Sequence, residues 1–175
     1  MTTPMTPEAV GPLSRPLDVS NLPATGVRFE VRATQEECDA LATDFKLPAI
    51  HDLIGEYKVT GSARGVHVEG RVRARITQTC VVTLDPFETS LDEEVMVDFA
   101  EPRHIPAEPP VDHPDYDPPD EILDGRIDLG ALTAEFLALG LDPYPRKPGV
   151  DFKYENDGDE ADSPFAALGR LRKDG

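Results

Sequence analysis

The chain has no tryptophan, only 7 phenylalanines and only 2 cysteines. Two cysteines, Cys38 and Cys80, cannot build a disulfide framework, and their separation matches no metal-ligand motif. They point to a reducing, cytoplasmic setting. Long hydrophobic runs are missing too. No stretch nears the roughly 18 consecutive apolar residues of a membrane span, so no membrane role is expected. The opening MTTPMTPEAVGPLSRP lacks the apolar centre of a signal peptide or helical anchor. Positive charge is scarce: 17 Lys and Arg stand against 34 Asp and Glu, a net charge of −17. That excess repels nucleic acid and anionic membranes as principal partners, and favours solubility and basic partners. A length of 175 residues can bury a core without staples and suits one domain with tails.

What is present begins with a contrast. In this acidic chain, GRVRARITQTCVVTLDP (70–86) carries Arg71, Arg73 and Arg75 at every second position. Extended back to Val66, the stretch alternates strictly. Val66, Val68, Val72, Ala74, Ile76 and Cys80 share one parity; His67, Glu69, the three arginines, Thr77 and Thr79 share the other. A period of two predicts a long half-buried strand with Cys80 facing in. FETSLDEEVMVDFA (87–100) alternates again, with Phe87, Leu91, Val95, Val97 and Phe99 on one face. A two-residue turn at Leu84 and Asp85 would fold the two strands together. Arg75 would then oppose Glu94, Arg71 would oppose Asp98, Val72 would meet Val97 and Ala74 would meet Val95. A slip of one residue would set arginines against valines.

The arginine row has two readings. It can pair across strands with Glu94 and Asp98, each exposed pair contributing about 0.2–1 kcal/mol. It can also form a phosphate-binding strip, because Glu69 is the only acid between Val66 and Cys80. No aromatic side chain shares that face, so such a strip would grip an RNA backbone and read no bases.

Elsewhere, residues 16–20, 26–33 and the stretch IGEYKVTG read as strands. Thr34 and Glu37 form a capping-box pattern ahead of Cys38, Leu41, Ala42 and Phe45, which predicts a helix over about 35–46. Residues 101–121 hold seven prolines and seven acids against one arginine, the composition of an extended or disordered acidic loop. Asp128 then caps a predicted helix over 128–141, with a stripe of Leu129, Leu132, Phe136 and Leu139 that must be covered by the sheet or by a partner. Acid returns at 150–162. Ser163 and Pro164 open a short amphipathic segment with Phe165, Leu168 and Leu171 on one side. The expectation is an α+β fold: an antiparallel meander, partly closed and barrel-like, with helices at 35–46 and 128–141. Residues 1–12 are expected to be disordered, 13–148 to form a single domain, and 149–175 to be a flexible acidic tail.

No catalytic constellation emerges. His51, His67, His104 and His113 share no ligand spacing with each other or with either cysteine. There is no glycine-rich phosphate cradle and no nucleophile elbow. An inward Cys80 reads as a small core hydrophobe. No metal or other cofactor, and no enzymatic activity, is expected.

Three segments, VRARITQTCVVTLDPFE, GRIDLGALTAEFLALGLDPYPRKPG and SPFAALGRL, resemble in order those of the bacterial YceD family, the large ribosomal RNA subunit accumulation proteins. Many members carry C-x-x-C-L at the hairpin turn; here Cys80 is followed by Thr83 and Leu84, so no dithiol or zinc role carries over. The resemblance implies a cytoplasmic, non-enzymatic ribosome-biogenesis factor needed for large-subunit (23S) rRNA to be synthesised, processed or accumulated. Two mechanisms fit. The protein can be an acidic interaction protein for a basic ribosomal protein or rRNA-processing factor, docking through Leu132, Phe136, Leu139, Phe165, Leu168 and Leu171. Alternatively, it can bind large-subunit precursor rRNA directly through Arg71, Arg73 and Arg75.

Overall fold

The alternating stretches fold as long strands. A computed structural model of the chain describes residues 11–62, 64–105 and 117–150. The elements are β1 (Pro16–Asp18), β2 (Val27–Arg32), α1 (Gln35–Asp44), β3 (Ala49–Ser62), β4 (Gly65–Thr79) and β5 (Pro86–Ala100). A single 3-10 turn (Pro102–His104), β6 (Asp120–Glu121), β7 (Arg126–Asp128) and α2 (Leu129–Leu139) follow. The main sheet has five strands in the order β2-β3-β4-β5-β6. Its first four strands are the expected antiparallel meander. Two expectations are corrected. The sheet is open, not barrel-like, and β6 joins it in parallel through Phe99–Asp120 and Ala100–Glu121. Closure would need the outermost strands, β2 and β6, to meet; instead the inner face is filled by the helices and by a separate two-stranded ribbon of β1 and β7.

Both helices start as the sequence predicts. Thr34 and Glu37 form the reciprocal capping box of α1, and Cys38, Leu41 and Ala42 turn inward. Arg15 reaches the same Glu37 with two bonds of 2.8 and 2.9 Å, tying the N-terminal segment to the helix start. Asp128 caps α2, accepting from Gly130 N and Ala131 N, and it also accepts from Ser14 Oγ at 2.5 Å and Arg15 N at 2.7 Å. Burial alone would raise the Asp128 pKa; the hydrogen bonds from Ser14, Arg15, Ala131 and Gly130 outweigh it and hold it below the usual carboxylate range. Both helices end earlier than the predicted 46 and 141, at Asp44 and Leu139. Residues 101–121, expected to be a loop throughout, contribute the 3-10 turn and β6; residues 106–116 lie outside the described part. The expectations for residues 1–10 and for the tail from 151 onward also fall outside it.

The hairpin of β4 and β5 keeps its predicted faces but not its predicted partners. Arg71 lies opposite Glu94, Arg73 opposite Asp92, Arg75 opposite Ser90, Val72 opposite Glu93 and Ala74 opposite Leu91. The turn is longer than two residues. Cys80 N donates to Asp85 O and Leu84 N donates to Cys80 O, both at 2.9 Å, so the chain reverses through Val81–Leu84 with Leu84 at φ 61°. This moves the pairing by an even number of residues. Val72 and Val95 therefore remain fully buried and the arginines remain outside. Glu93 falls on the inner parity, half-buried, against the end of α2. A side chain at Gly140 would come within 2.6 Å of Glu93 Cγ, so a larger residue there would push the Glu93 side chain aside.

Candidate functional site

Three surfaces carry the residues singled out by sequence. The first is the outer face of the sheet. The meander register places Glu56 opposite Arg71, Ile54 opposite Arg73 and Asp52 opposite Arg75 on the β3 side. Arg71 pairs with Asp92 at 3.4 Å, Arg73 pairs with Glu56, and Lys58 pairs with Glu69 at 2.7 Å. His67 bonds Asp98 at 2.7 Å. Among the described residues Arg75 makes no ion pair. Asp52, Glu56, Glu69, Glu88, Asp92, Glu94 and Asp98 outnumber Lys58, Arg71, Arg73 and Arg75 on β3, β4 and β5. The local positive balance of β4 is thus reversed once its neighbours are in place. Cross-strand pairing was expected from β5 alone. The contribution of β3 was invisible because its register depends on a distant strand and a bulge between Ile50 and Asp52.

The second surface is the hairpin tip. Here the sequence reading of Cys80 as a core hydrophobe is corrected in part. The sulfur is fully covered, yet it stands outside the contiguous core. It sits at the junction of the tip with the loop after α2. Lys147 N donates to Cys80 Sγ at 3.4 Å, Val81 N to Pro145 O at 2.9 Å, and Gln78 Nε2 to Asp142 O at 3.2 Å. The backbone amides of Lys147, Thr83 and Val82, with the Thr83 hydroxyl, hold the Cys80 thiol down to about 7 against the opposing effect of burial. Thr83, at the second cysteine position of the C-x-x-C pattern, is thus among the groups that lower the Cys80 pKa. Around this junction Val81, Leu84 and Tyr144 are exposed, Leu84 and Tyr144 at 75% and 73%. Sequence reasoning missed this patch. Its one local signal was the proline-flanked DPYPRKPG loop, with Tyr144 between two of its prolines. No group of three His, Cys, Asp or Glu side chains among the described residues is placed to hold a metal ion, and no helix there is long and apolar enough to cross a membrane.

The third surface is α2. Its predicted stripe is split. Leu129, Leu132 and Leu137 are buried against the sheet, whereas Phe136 is half-buried and Leu139 is 69% exposed. Leu132, named as a docking residue, is thus core. Phe136 and Leu139 flank β5, with Glu135 beside them. Phe165, Leu168 and Leu171 lie outside the described residues.

Comparison with known proteins gives a family match. A family model described as Large ribosomal RNA subunit accumulation protein YceD matches residues 68–172, more than half of the chain. The match begins in β4 and takes in β5, α2 and the loop that contacts Cys80. No curated protein and no solved structure matches.

Proposed function

Since the chain belongs to the YceD family of large ribosomal RNA subunit accumulation proteins, we propose that it supports large-subunit rRNA accumulation as a non-enzymatic, cytoplasmic interaction protein for a basic ribosomal protein or rRNA-processing factor. The observation that carries this reading is the engagement of Arg71 and Arg73 by Asp92 and Glu56. A phosphate backbone would have to displace those carboxylates from a face where acids outnumber bases, inside a chain of net charge −17. A cationic protein meets no such cost. The exposed Leu139 and the half-buried Phe136 add apolar anchorage next to acid.

The test is a pull-down with the full tagged chain from a ribosome-rich extract at low salt. A basic ribosomal protein or processing factor is recovered, and it is released as ionic strength rises. Recovery of precursor rRNA in a protease-treated extract, with no basic protein in the untreated one, overturns the reading. Arg75 supports a second reading, because it has no ion pair among the described residues: a direct, weak contact to rRNA backbone. That contact would be lost in an Arg75→Ser variant.

A further inference from the structure

Among the described residues, β5 is hydrogen-bonded along its whole length on one side and only at its last two residues on the other. It pairs with β4 from Pro86 to Ala100 without a break, while β6 takes up only Phe99 and Ala100. Among the described residues, the backbone from Phe87 to Val95 is therefore an open edge; past it, Asp117–Pro119 runs in beside Met96–Asp98 on the way to β6. At about 3.3 Å per residue the open part extends for roughly 30 Å. Such edges are templates for another strand unless they are defended by bulges, internal prolines or charge. β5 has no bulge against β4, and its one proline, Pro86, stands at its start. Charge is its remaining defence, and that charge has one sign: Glu88, Asp92, Glu94 and Asp98 project from the outer face.

A one-signed defence selects. A second copy of β5 laid along the edge would set carboxylate against carboxylate, which is unfavourable between directly opposed positions. A strand rich in lysine or arginine is attracted instead. Beside the edge, Met96 and Asp98 of β5, Asp120, and Glu135, Phe136 and Leu139 of α2 line a groove of about 340 Å³. It offers apolar contact within an acidic rim. The other edge strand, β2, is shorter and mixed in charge, and Arg15 already donates to the Arg32 carbonyl there.

We propose that the free edge of β5, with the groove beside α2, receives an extended basic polypeptide segment that adds as a strand to the sheet. Backbone hydrogen bonds would supply a sequence-tolerant part of the affinity, acids would select cationic side chains, and Leu139 with Met96 would contact apolar ones. This inference rests on the protein-partner reading above and specifies how the partner is held.

The test uses the full isotopically labelled chain and an amidated nine-residue peptide of alternating lysine and valine as probe. Amide hydrogen exchange is followed by NMR. In the free protein every second amide between Phe87 and Val95 exchanges quickly, and saturating peptide protects those amides. A peptide of the same sequence N-methylated at every residue keeps its charge and binds at least about tenfold more weakly, having lost its backbone donors. Leu139→Lys, at an exposed position that leaves the core intact, also weakens binding. Peptide binding with no gain of protection in β5, or equal binding of the N-methylated peptide, overturns the edge inference while leaving a basic partner possible at another surface. Protection in β5 by the peptide, with no basic protein recovered from extracts, keeps the edge and sinks the proposed function.

Discussion

The Tyr57 hydroxyl in β3 donates to Thr133 Oγ1 in α2 across 2.7 Å. The direction is set by Thr133, whose own proton goes to the Leu129 carbonyl at 2.7 Å. Gly55 leaves the space for this contact, since a side chain there would come within 2.6 Å of the Tyr57 hydroxyl. The pair pins the helix that carries Leu139 to the sheet that carries the arginines.

Removing either member of that pair has unequal effects. Thr133→Val strands a buried phenol without an acceptor and costs about 2 kcal/mol, whereas Tyr57→Phe removes the donor cleanly and costs about 1 kcal/mol. The double variant loses less than the two single losses together. Urea unfolding of the three variants measures this. Burial also pushes the Tyr57 pKa from 10.0 up to about 12. Above pH 10 the unfolded chain sheds a proton that the fold retains, so stability from this group falls between pH 10 and 12. Tyr57→Phe flattens that fall.

Acid acts at the other end of the core. The hydrogen bonds from Arg15, aided by Thr34, outweigh burial and hold Glu37 from its ordinary 4.5 down to about 2. Its folded pKa is depressed, so its contribution is fully present above pH 4.5 and is lost as pH falls toward 2. Glu37→Gln weakens both the capping box and the Arg15 clamp. It lowers stability by about 1 kcal/mol at pH 7, a modest figure because the pair is partly exposed. It also makes thermal stability less steep in acid. Melting curves from pH 7 to pH 2.5 check both effects.

The two thiols differ in reactivity. Cys38 is buried in α1 and its pKa is raised by that burial and by Asp52, Asp39 and Glu37. Cys80, held at about 7, forms thiolate near neutrality. Both sulfurs are covered in the fold, so iodoacetamide reaches either one only through a local opening. Cys80 lies outside the contiguous core, at the junction of the tip with the loop after α2, so parting that junction uncovers it while Cys38 stays packed, and Cys80 is modified first. Lys147→Pro deletes the amide that holds the sulfur and speeds this modification, whereas Lys147→Ala keeps the amide and leaves the rate almost unchanged. Mass spectrometry of the modified peptides reads out each site.

Much of the sheet was legible because β4 and β5 alternate without interruption for more than a dozen residues. Their register was not, since the expected and observed pairings preserve the same parity and differ only in the turn. The turn needs Leu84 at positive φ, a conformation that a leucine does not advertise. β6 and β7 are too short to carry a period, and β7 pairs with β1 from the far end of the chain. The α2 stripe was read as one apolar band, but the sheet beneath it covers Leu132 and Leu137 and stops short of Leu139. The candidate site was half legible. Arg71 and Arg73 were seen as exposed and pairable; Glu56, which neutralises Arg73, could be placed only by the β3 register.

The most direct test compares the parent chain with the Arg71→Ser, Arg73→Ser, Arg75→Ser triple variant, both used as bait in the same extract. The recovered ratio of basic protein to large-subunit precursor rRNA is measured for each, with circular dichroism as the control for folding. The variant has three fewer positive charges than a chain already at −17. It should recover basic protein at least as well as the parent, with rRNA recovery in proportion to that protein. A folded variant that keeps its basic protein partners but loses the rRNA would show that the arginines, not the acids, make the functional contact.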